Sequence, residues 1–237
     1  MKADENQKRD FVALAVHKLK TPISSIKLSL EMLLEGDFGE LSLEERKVIE
    51  RIHQRNEVLI YLVNDLLNLA QIGNKYPLSL VPVNFKRLVK LVINTDEEEM
   101  QKKAISIRFE DKAVISDVIA DKEKMFLAVQ NIFDNAVKYS NVGGEIIVVL
   151  ESDTESIRLK IQDFGIGIID SDKEKLFTEF FRGKNAKEAQ LMGSGLGLFI
   201  AKDIIEKHGG RIWFESKEGR GTTFFVVIPI NGELRQK

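Results

Sequence analysis

The pattern of hydrophobic and polar positions changes period near residue 75. From Asp10 onward, Phe11, Leu14, Ala15, Leu19, Ile26, Leu30, Leu33 and Leu34 recur at spacings of mostly three and four, which predicts an amphipathic helix. The segment Glu35-Gly36-Asp37-Phe38-Gly39-Glu40 interrupts the stripe with two glycines. Ser42 and Glu45 then have the spacing of a capping box, in which a hydroxyl accepts from the N3 amide and the glutamate reaches back. The helix that follows carries Val48, Ile52, Leu59, Leu62, Leu66 and Leu69 at heptad-like positions, skipping only Arg55. Two long helices with a short turn predict an antiparallel hairpin. Each helix exposes a seam that its partner alone does not fully cover, so a four-helix bundle from two chains is the economical solution. An internal hairpin packed on the rest of the chain is the alternative.

The cluster Ile72-Gly73-Asn74-Lys75-Tyr76-Pro77 marks a boundary between residues 1–74 and residues 75–237. Beyond it, helices and strands mix, so the fold class is α+β. Residues 105–109 and 156–162 alternate strictly, as half-buried strands do, whereas 145–150 and 223–228 read as continuous apolar strands. Helices fit at 84–103, 122–140 and 196–208, the last stopping at His208-Gly209-Gly210. Residues 168–192 lack sustained periodicity between glycine-rich turns. A segment that long inside a domain is usually a functional lid.

Composition narrows the classes. The 237 residues contain no cysteine, which excludes disulfides, thiolate metal sites and cysteine nucleophiles. A formal charge of −2 gives no global field favouring nucleic acid or an anionic membrane. No window approaches the run of about 18 apolar residues that spans a bilayer, and Met1-Lys2-Ala3-Asp4-Glu5 lacks the apolar stretch of a signal peptide. The expectation is a soluble, cytoplasmic core without membrane contact of its own, compatible with a membrane-anchored parent.

Three constellations carry candidate chemistry. Asp121 stands where an N-cap belongs, and on the helix after it Asn131, Asn135 and Lys138 fall within about 60° of one another at ~100° per residue. Met125, Val129, Ile132, Phe133 and Ala136 take the opposite side. Amide oxygens are hard ligands suited to Mg²⁺; a merely solvated helix face has the same pattern. Asp163-Phe164-Gly165-Ile166-Gly167 follows directly on a strand. Its glycines permit close approach to a flat ligand, and the carboxylate can accept from an amino group; a plain strand-to-loop turn fits equally well. Gly193-Ser194-Gly195-Leu196-Gly197 precedes a helix, so its backbone N–H groups and the positive dipole end face any anion there. The spacing is GxGxG with no strand leading in, which is not the dinucleotide-binding pattern.

Taken in this order, the three resemble the Bergerat ATP-binding fold of histidine kinases, gyrase-type topoisomerases, mismatch-repair ATPases and a heat-shock chaperone. Gln130–Ser140 is similar to the histidine-kinase N box, Asp163–Gly167 to its first G box, Phe177–Arg182 to its F box and Gly193–Leu198 to its second G box. His208–Trp213 and Gly219–Thr222 also resemble the family, and Phe11–Pro22 resembles its H box, so the match covers almost the whole chain. The resemblance implies a dimeric helical hairpin followed by an α/β-sandwich Bergerat domain. It implies autophosphorylation of His17 from Mg²⁺–ATP and transfer to an aspartate of a response-regulator receiver domain. Adenine would meet Asp163, Gly165 and Gly167. The metal would lie at Asn135, and phosphates near Asn131, Lys138, Arg182, Gly193, Gly195 and Gly197, with Tyr139 packed nearby. His53 and His208 are rivals to His17 by residue type alone, but neither has a Thr-Pro beside it.

One position departs from the pattern. The family usually has an acidic residue after the phosphorylated histidine, where it is thought to accept from Nδ1–H; here it is Lys18, which accepts nothing. Thr21, which in the family helps orient water for dephosphorylating the partner, is retained. The alternatives are therefore a weakly active kinase or pseudokinase scaffold acting mainly on its regulator's phosphoryl group, and a Bergerat ATPase that does not phosphorylate itself.

Overall fold

The computed structural model describes residues 2–72, 78–188 and 193–232, with side chains from Lys18 onward in the first helix. The chain divides into two compact units, Met1–Tyr76 with Met192–Ser194, and Pro77–Leu191 with Gly195–Lys237. The Gly/Asn/Pro cluster at 73–77, read as a boundary, lies outside the described residues. Among those described, no helix is long and apolar enough to cross a membrane.

The first unit is a hairpin of α1 (Lys2–Glu35) and α2 (Leu43–Ile72). The first helix starts earlier than the apolar stripe predicts, because Lys2–Arg9 are mostly good helix formers that need no buried face. The capping box forms as read: the Ser42 main-chain N–H donates to Glu45 at 2.9 Å, and the Glu45 N–H to Ser42 Oγ at 3.3 Å. Pro22 sits inside α1 and leaves the Lys18 carbonyl without its helical donor. One residue beyond the proline, the buried Asn56 of α2 donates its amide N–H to the Ile23 carbonyl at 3.1 Å. Leu30 and Val63 are buried within the hairpin, but Leu19, Ile26, Val48, Ile52 and Leu59 are each about half exposed. The seam is only partly covered by its own chain.

The second unit is a five-stranded sheet with helices on one face, plus a two-stranded antiparallel pair. That pair is β1 (Leu80–Asn84) and β3 (Asp117–Asp121). The main sheet has the order β2-β4-β5-β7-β6, with β2 at Ser106–Lys112, β4 at Glu145–Ser152, β5 at Ser156–Asp163, β6 at Arg211–Lys217 and β7 at Gly221–Pro229. Only β2 and β4 run parallel. Alternation puts Ile146, Val148 and Leu150 with Ile157, Leu159, Ile161, Phe224, Val226 and Ile228 on the buried face.

The helix expected over 84–103 is two, α3 (Phe85–Thr95) and α4 (Glu97–Lys102). Thr95 turns its hydroxyl back onto the Val92 carbonyl at 2.6 Å, and Asp96 leaves helical geometry to begin α4. Short polar side chains that bond their own backbone favour such breaks. The helix over 122–140 is α5 (Lys122–Tyr139), capped by Asp121, which accepts from the Lys124 N–H at 3.1 Å. The helix at 196–208 is α7 (Gly197–Lys207). The stretch without periodicity contains a 3₁₀ segment, Asp170–Lys175, and α6 (Lys184–Glu188); its residues 189–192 lie outside the described set.

Candidate active site

The second unit brings together, around α5, the Asp163–Gly167 segment and the Gly195–Gly197 part of the third constellation; Gly193 and Ser194 belong to the first unit. This helix buries Met125, Ala128, Val129, Ile132, Phe133, Ala136 and Val137, so Asn131, Asn135 and Lys138 are left on its less buried side. Asn135 donates its amide N–H to the Asn131 carbonyl at 2.7 Å, which fixes its orientation and leaves the amide oxygen as a ligand atom. The Asn131 Nδ2 is buried without a hydrogen-bond partner. A buried donor left unmade costs about 1–3 kcal/mol, so this amide is prepared for an acceptor.

The same side chain stands beside the start of α7. Gly195 precedes it, Gly197 opens it, and no side chain caps its N-terminus. The first N–H groups of α7 and the positive end of its dipole therefore lie close to the Asn131 side chain, whose Oδ1 is the atom nearest Gly197. Gly197 makes the approach possible, since a Cβ there would stand 2.8 Å from Asn131 Oδ1. Gly195, at φ +80°, packs against the main chain of Phe180 and Phe181, joining the F-box segment to the glycine segment. Phe180 itself has a φ of +59°, strained for a bulky residue.

Asp163 ends β5 and is 3% exposed. Its Oδ1 accepts from the Gly165 N–H at 2.9 Å and the Thr222 N–H at 3.2 Å. Burial dominates these bonds and pushes its pKa up to about 6. Gly165 passes so close to the end of α5 that a Cβ would lie 1.9 Å from the Tyr139 carbonyl oxygen. Gly167 is held from two sides: the Asn185 amide donates to its carbonyl at 2.7 Å, and a Cβ there would lie 2.1 Å from the Lys217 carbonyl oxygen.

Tyr139 is half-buried, and the loss of solvent around its phenol raises its pKa, while the Arg182 guanidinium acts in the opposite direction. The Lys138 ammonium lies 4.9 Å from the Tyr139 ring centroid. The predicted residues Asn131, Asn135, Lys138, Tyr139, Asp163, Gly165, Gly167, Arg182, Gly195 and Gly197 thus belong to one neighbourhood of the second unit.

In the hairpin, His17 lies in α1, and its side chain is outside the described residues; Lys18 and Thr21 are exposed on the same helix. His53 and His208 are placed differently: His53 faces Glu31 across the hairpin at 3.6 Å, and His208 is buried at the end of α7.

Sequence reasoning missed several supports. Lys103 donates its ammonium to the carbonyls of Val137 and Lys138 at 3.0 and 2.7 Å, closing the C-terminal end of α5. Burial lowers its pKa. Asn185 grips Gly167, and Ser216 accepts from the Ile168 N–H at 2.9 Å. Lys103 was simply the last residue of the helix predicted over 84–103, and no local pattern signalled any of these contacts.

Comparison with known proteins agrees with this geometry. Residues 7–75 match the His Kinase A (phospho-acceptor) domain, and residues 120–232 match the histidine kinase-, DNA gyrase B-, and HSP90-like ATPases. The sensor histidine kinase WalK of Bacillus subtilis is 34% identical over 97% of this chain, which spans 38% of that relative's length. The catalytic domain of histidine kinase ThkA is 30% identical, covers 66% of this chain, is itself covered to 99%, and superposes with a TM-score of 0.58. ThkA solved in complex with response regulator protein TrrA covers 99% of this chain and is covered to 67%, with a TM-score of 0.67; at 24% identity that likeness is one of fold. A phosphoacceptor-type hairpin followed by an ATPase-type domain, each with relatives of its own kind, places the chain in the sensor histidine kinase family.

Proposed function

We propose that the chain is an ATP-dependent histidine autokinase that phosphorylates His17 and passes the phosphoryl group to an aspartate of a response-regulator receiver domain. Residues 1–74 act as the dimerisation and phosphotransfer hairpin, and residues 75–237 as the nucleotide-binding domain. The observation that carries this reading is the partnerless buried amide of Asn131 beside the uncapped start of α7. Such a pairing of orphan donors suits a polyphosphate.

The residues divide the work by chemistry. Asp163 keeps one carboxylate oxygen occupied by main-chain N–H groups and offers the other to the amino group of adenine. Gly165 and Gly167 let the base lie against bare backbone. Asn131, Lys138, Arg182 and the glycines from Gly193 to Gly197 neutralise and orient the phosphates. Among the described residues no three carboxylate or imidazole side chains come together to hold a metal, so the fit for Mg²⁺ is one amide oxygen, that of Asn135, with phosphate and water oxygens. When bound, Mg²⁺ would withdraw charge from the phosphate oxygens. Neutral His17 supplies the lone pair that bonds to the γ-phosphorus as its bond to the bridging oxygen breaks and ADP leaves. Catalysis is mainly positioning and charge neutralisation.

The half-exposed Leu19, Ile26, Val48, Ile52 and Leu59 support a homodimer, since a second hairpin would cover them. ThkA, captured with TrrA, offers a precedent for a kinase of this fold meeting a response regulator.

A second reading is favoured by Lys18. With lysine and not a carboxylate next after His17 in the sequence, the chain would act as a weak kinase or pseudokinase that works mainly on its regulator's phosphoryl group. Incubation with ATP labelled at the γ-phosphate separates the two. The first reading expects an acid-labile, base-stable label on the chain that disappears in His17→Ala. Tight MgATP binding with no label would favour the second.

A further inference from the structure

His208 belongs to a run, His208-Gly209-Gly210, to which the proposed phosphotransfer gives no role. It is 1% exposed at the C-terminal end of α7. Its Nε2 lies 3.0 Å from the main-chain N of Asp121, and its Nδ1 lies 2.7 Å from the Ile204 carbonyl oxygen. A main-chain N–H can only donate and a carbonyl can only accept. The ring must therefore be neutral, with its proton on Nδ1 and its lone pair on Nε2.

The two partners belong to different elements. Ile204 lies in α7 itself. Asp121 ends β3 and caps α5, where its side chain also accepts from the N–H groups of Ser79 and Lys124. His208 thus ties the last turn of α7 to the first turn of α5. The same two helices meet again where α7 begins, at Gly197 against Asn131. They run antiparallel, with this polar link at one end of α7 and the proposed phosphate site at the other.

We propose that His208 is a positioning residue for nucleotide binding: it fixes the sliding position of α7 along α5 and so holds the uncapped helix start level with the Asn131 amide. The inference rests on the ATP-binding reading above. Packing alone leaves such sliding soft, because apolar ridges have near-equivalent settings; one directional hydrogen bond selects a single register. Burial, helped by the Lys124 ammonium, outweighs the Ile204 carbonyl and the Asp121 carboxylate and lowers the imidazole's pKa, in keeping with the neutral ring that the geometry requires. Protonation would set N–H against N–H at Asp121 and break the tie.

Two substitutions separate the links. His208→Gln places an amide oxygen near the position of Nε2 and can still accept from Asp121. His208→Asn reaches Ile204 with an amide N–H but leaves the Asp121 N–H without an acceptor. MgATP affinity of the full chain is measured by calorimetry well below each variant's melting temperature, so that only folded protein is titrated. The Asn variant is expected to bind about tenfold more weakly, the size of one unmade buried hydrogen bond, and the Gln variant close to the unsubstituted chain. Equal affinity in all three, or equal loss in both variants, overturns the positioning role. If the Asn variant does not fold, the Gln variant decides: retained affinity despite a lowered melting temperature supports the role, and a comparable loss of affinity overturns it. An unsubstituted chain that fails to bind MgATP sinks this inference together with the reading beneath it.

Discussion

Gly197 and Asn131 stand so close that a Cβ on the glycine would lie 2.8 Å from the asparagine's amide oxygen and 3.3 Å from its Cγ. The consequence is a split between stability and binding. Gly197→Ala gains helix propensity, up to about 1 kcal/mol, but pushes the Asn131 amide off the start of α7. We expect a melting temperature within a few degrees of the unsubstituted chain and MgATP binding weaker by about tenfold or more. Unchanged affinity in a calorimetric titration would count against Asn131 as a phosphate ligand.

Gly165 answers to a different neighbour. A Cβ there would meet the Tyr139 carbonyl oxygen at 1.9 Å, and main chain at the end of α5 has little freedom to retreat. Gly165→Ala should therefore destabilise the second unit by about 1–3 kcal/mol, read as a lowered denaturant midpoint. A variant as stable as the parent would show that α5 and the Asp163 turn are not locked together as described.

Asp163 predicts opposite responses of folding and binding to pH. Its pKa, pushed up to about 6 by burial, lies above that of the unfolded chain. Its contribution to stability is therefore fully present below about pH 4 and is lost as pH rises through about 6. Asp163→Asn keeps an acceptor for Gly165 and Thr222 but removes the buried charge. At pH 7.5 it should melt no lower than the parent, yet bind MgATP at least about tenfold more weakly, since a charge-assisted hydrogen bond becomes a neutral one. In the parent, affinity should fall as pH drops through 6. Undiminished affinity in the Asn variant would remove Asp163 from the adenine site.

Lys18 is exposed on α1 immediately after His17. A carboxylate there could hold Nδ1–H and turn the Nε2 lone pair toward phosphorus. Lys18→Glu is expected to raise the initial rate of His17 labelling, by about tenfold or more if the usual size of general-base assistance applies. A slower variant would show that the lysine serves the reaction, for instance by meeting phosphoryl oxygens.

Long periodic segments and glycine motifs were readable because each residue there is dictated by its own helix or turn. The capping box at Ser42, the Asp121 cap and the two faces of α5 follow from local chemistry, and the structure has them. What escaped depends on partners distant in sequence. The β1–β3 pair joins Leu80–Asn84 to Asp117–Asp121, two short segments of which the first contains Pro82. Neither alternates long enough to announce a strand. The break at Asp96 was hidden because Asn94–Glu99 reads as a polar stretch of one continuing helix, with Met100 a heptad beyond Ile93. Lys103 looked like any surface lysine until α5 was seen to end above it.

The parallel pairing of β2 with β4 has a practical outcome for anyone shortening the protein. Polypeptide 113–144, including β3 and α5, forms the crossover between these two neighbouring strands, and α3 buries Phe85, Leu88, Val89 and Val92. A fragment started at residue 120, where the ATPase-family match begins, would lose β1, β2 and α3. The open margin of β4 would then offer its unpaired main chain to other molecules, an invitation to aggregate. An excised nucleotide-binding fragment should begin ahead of Leu80.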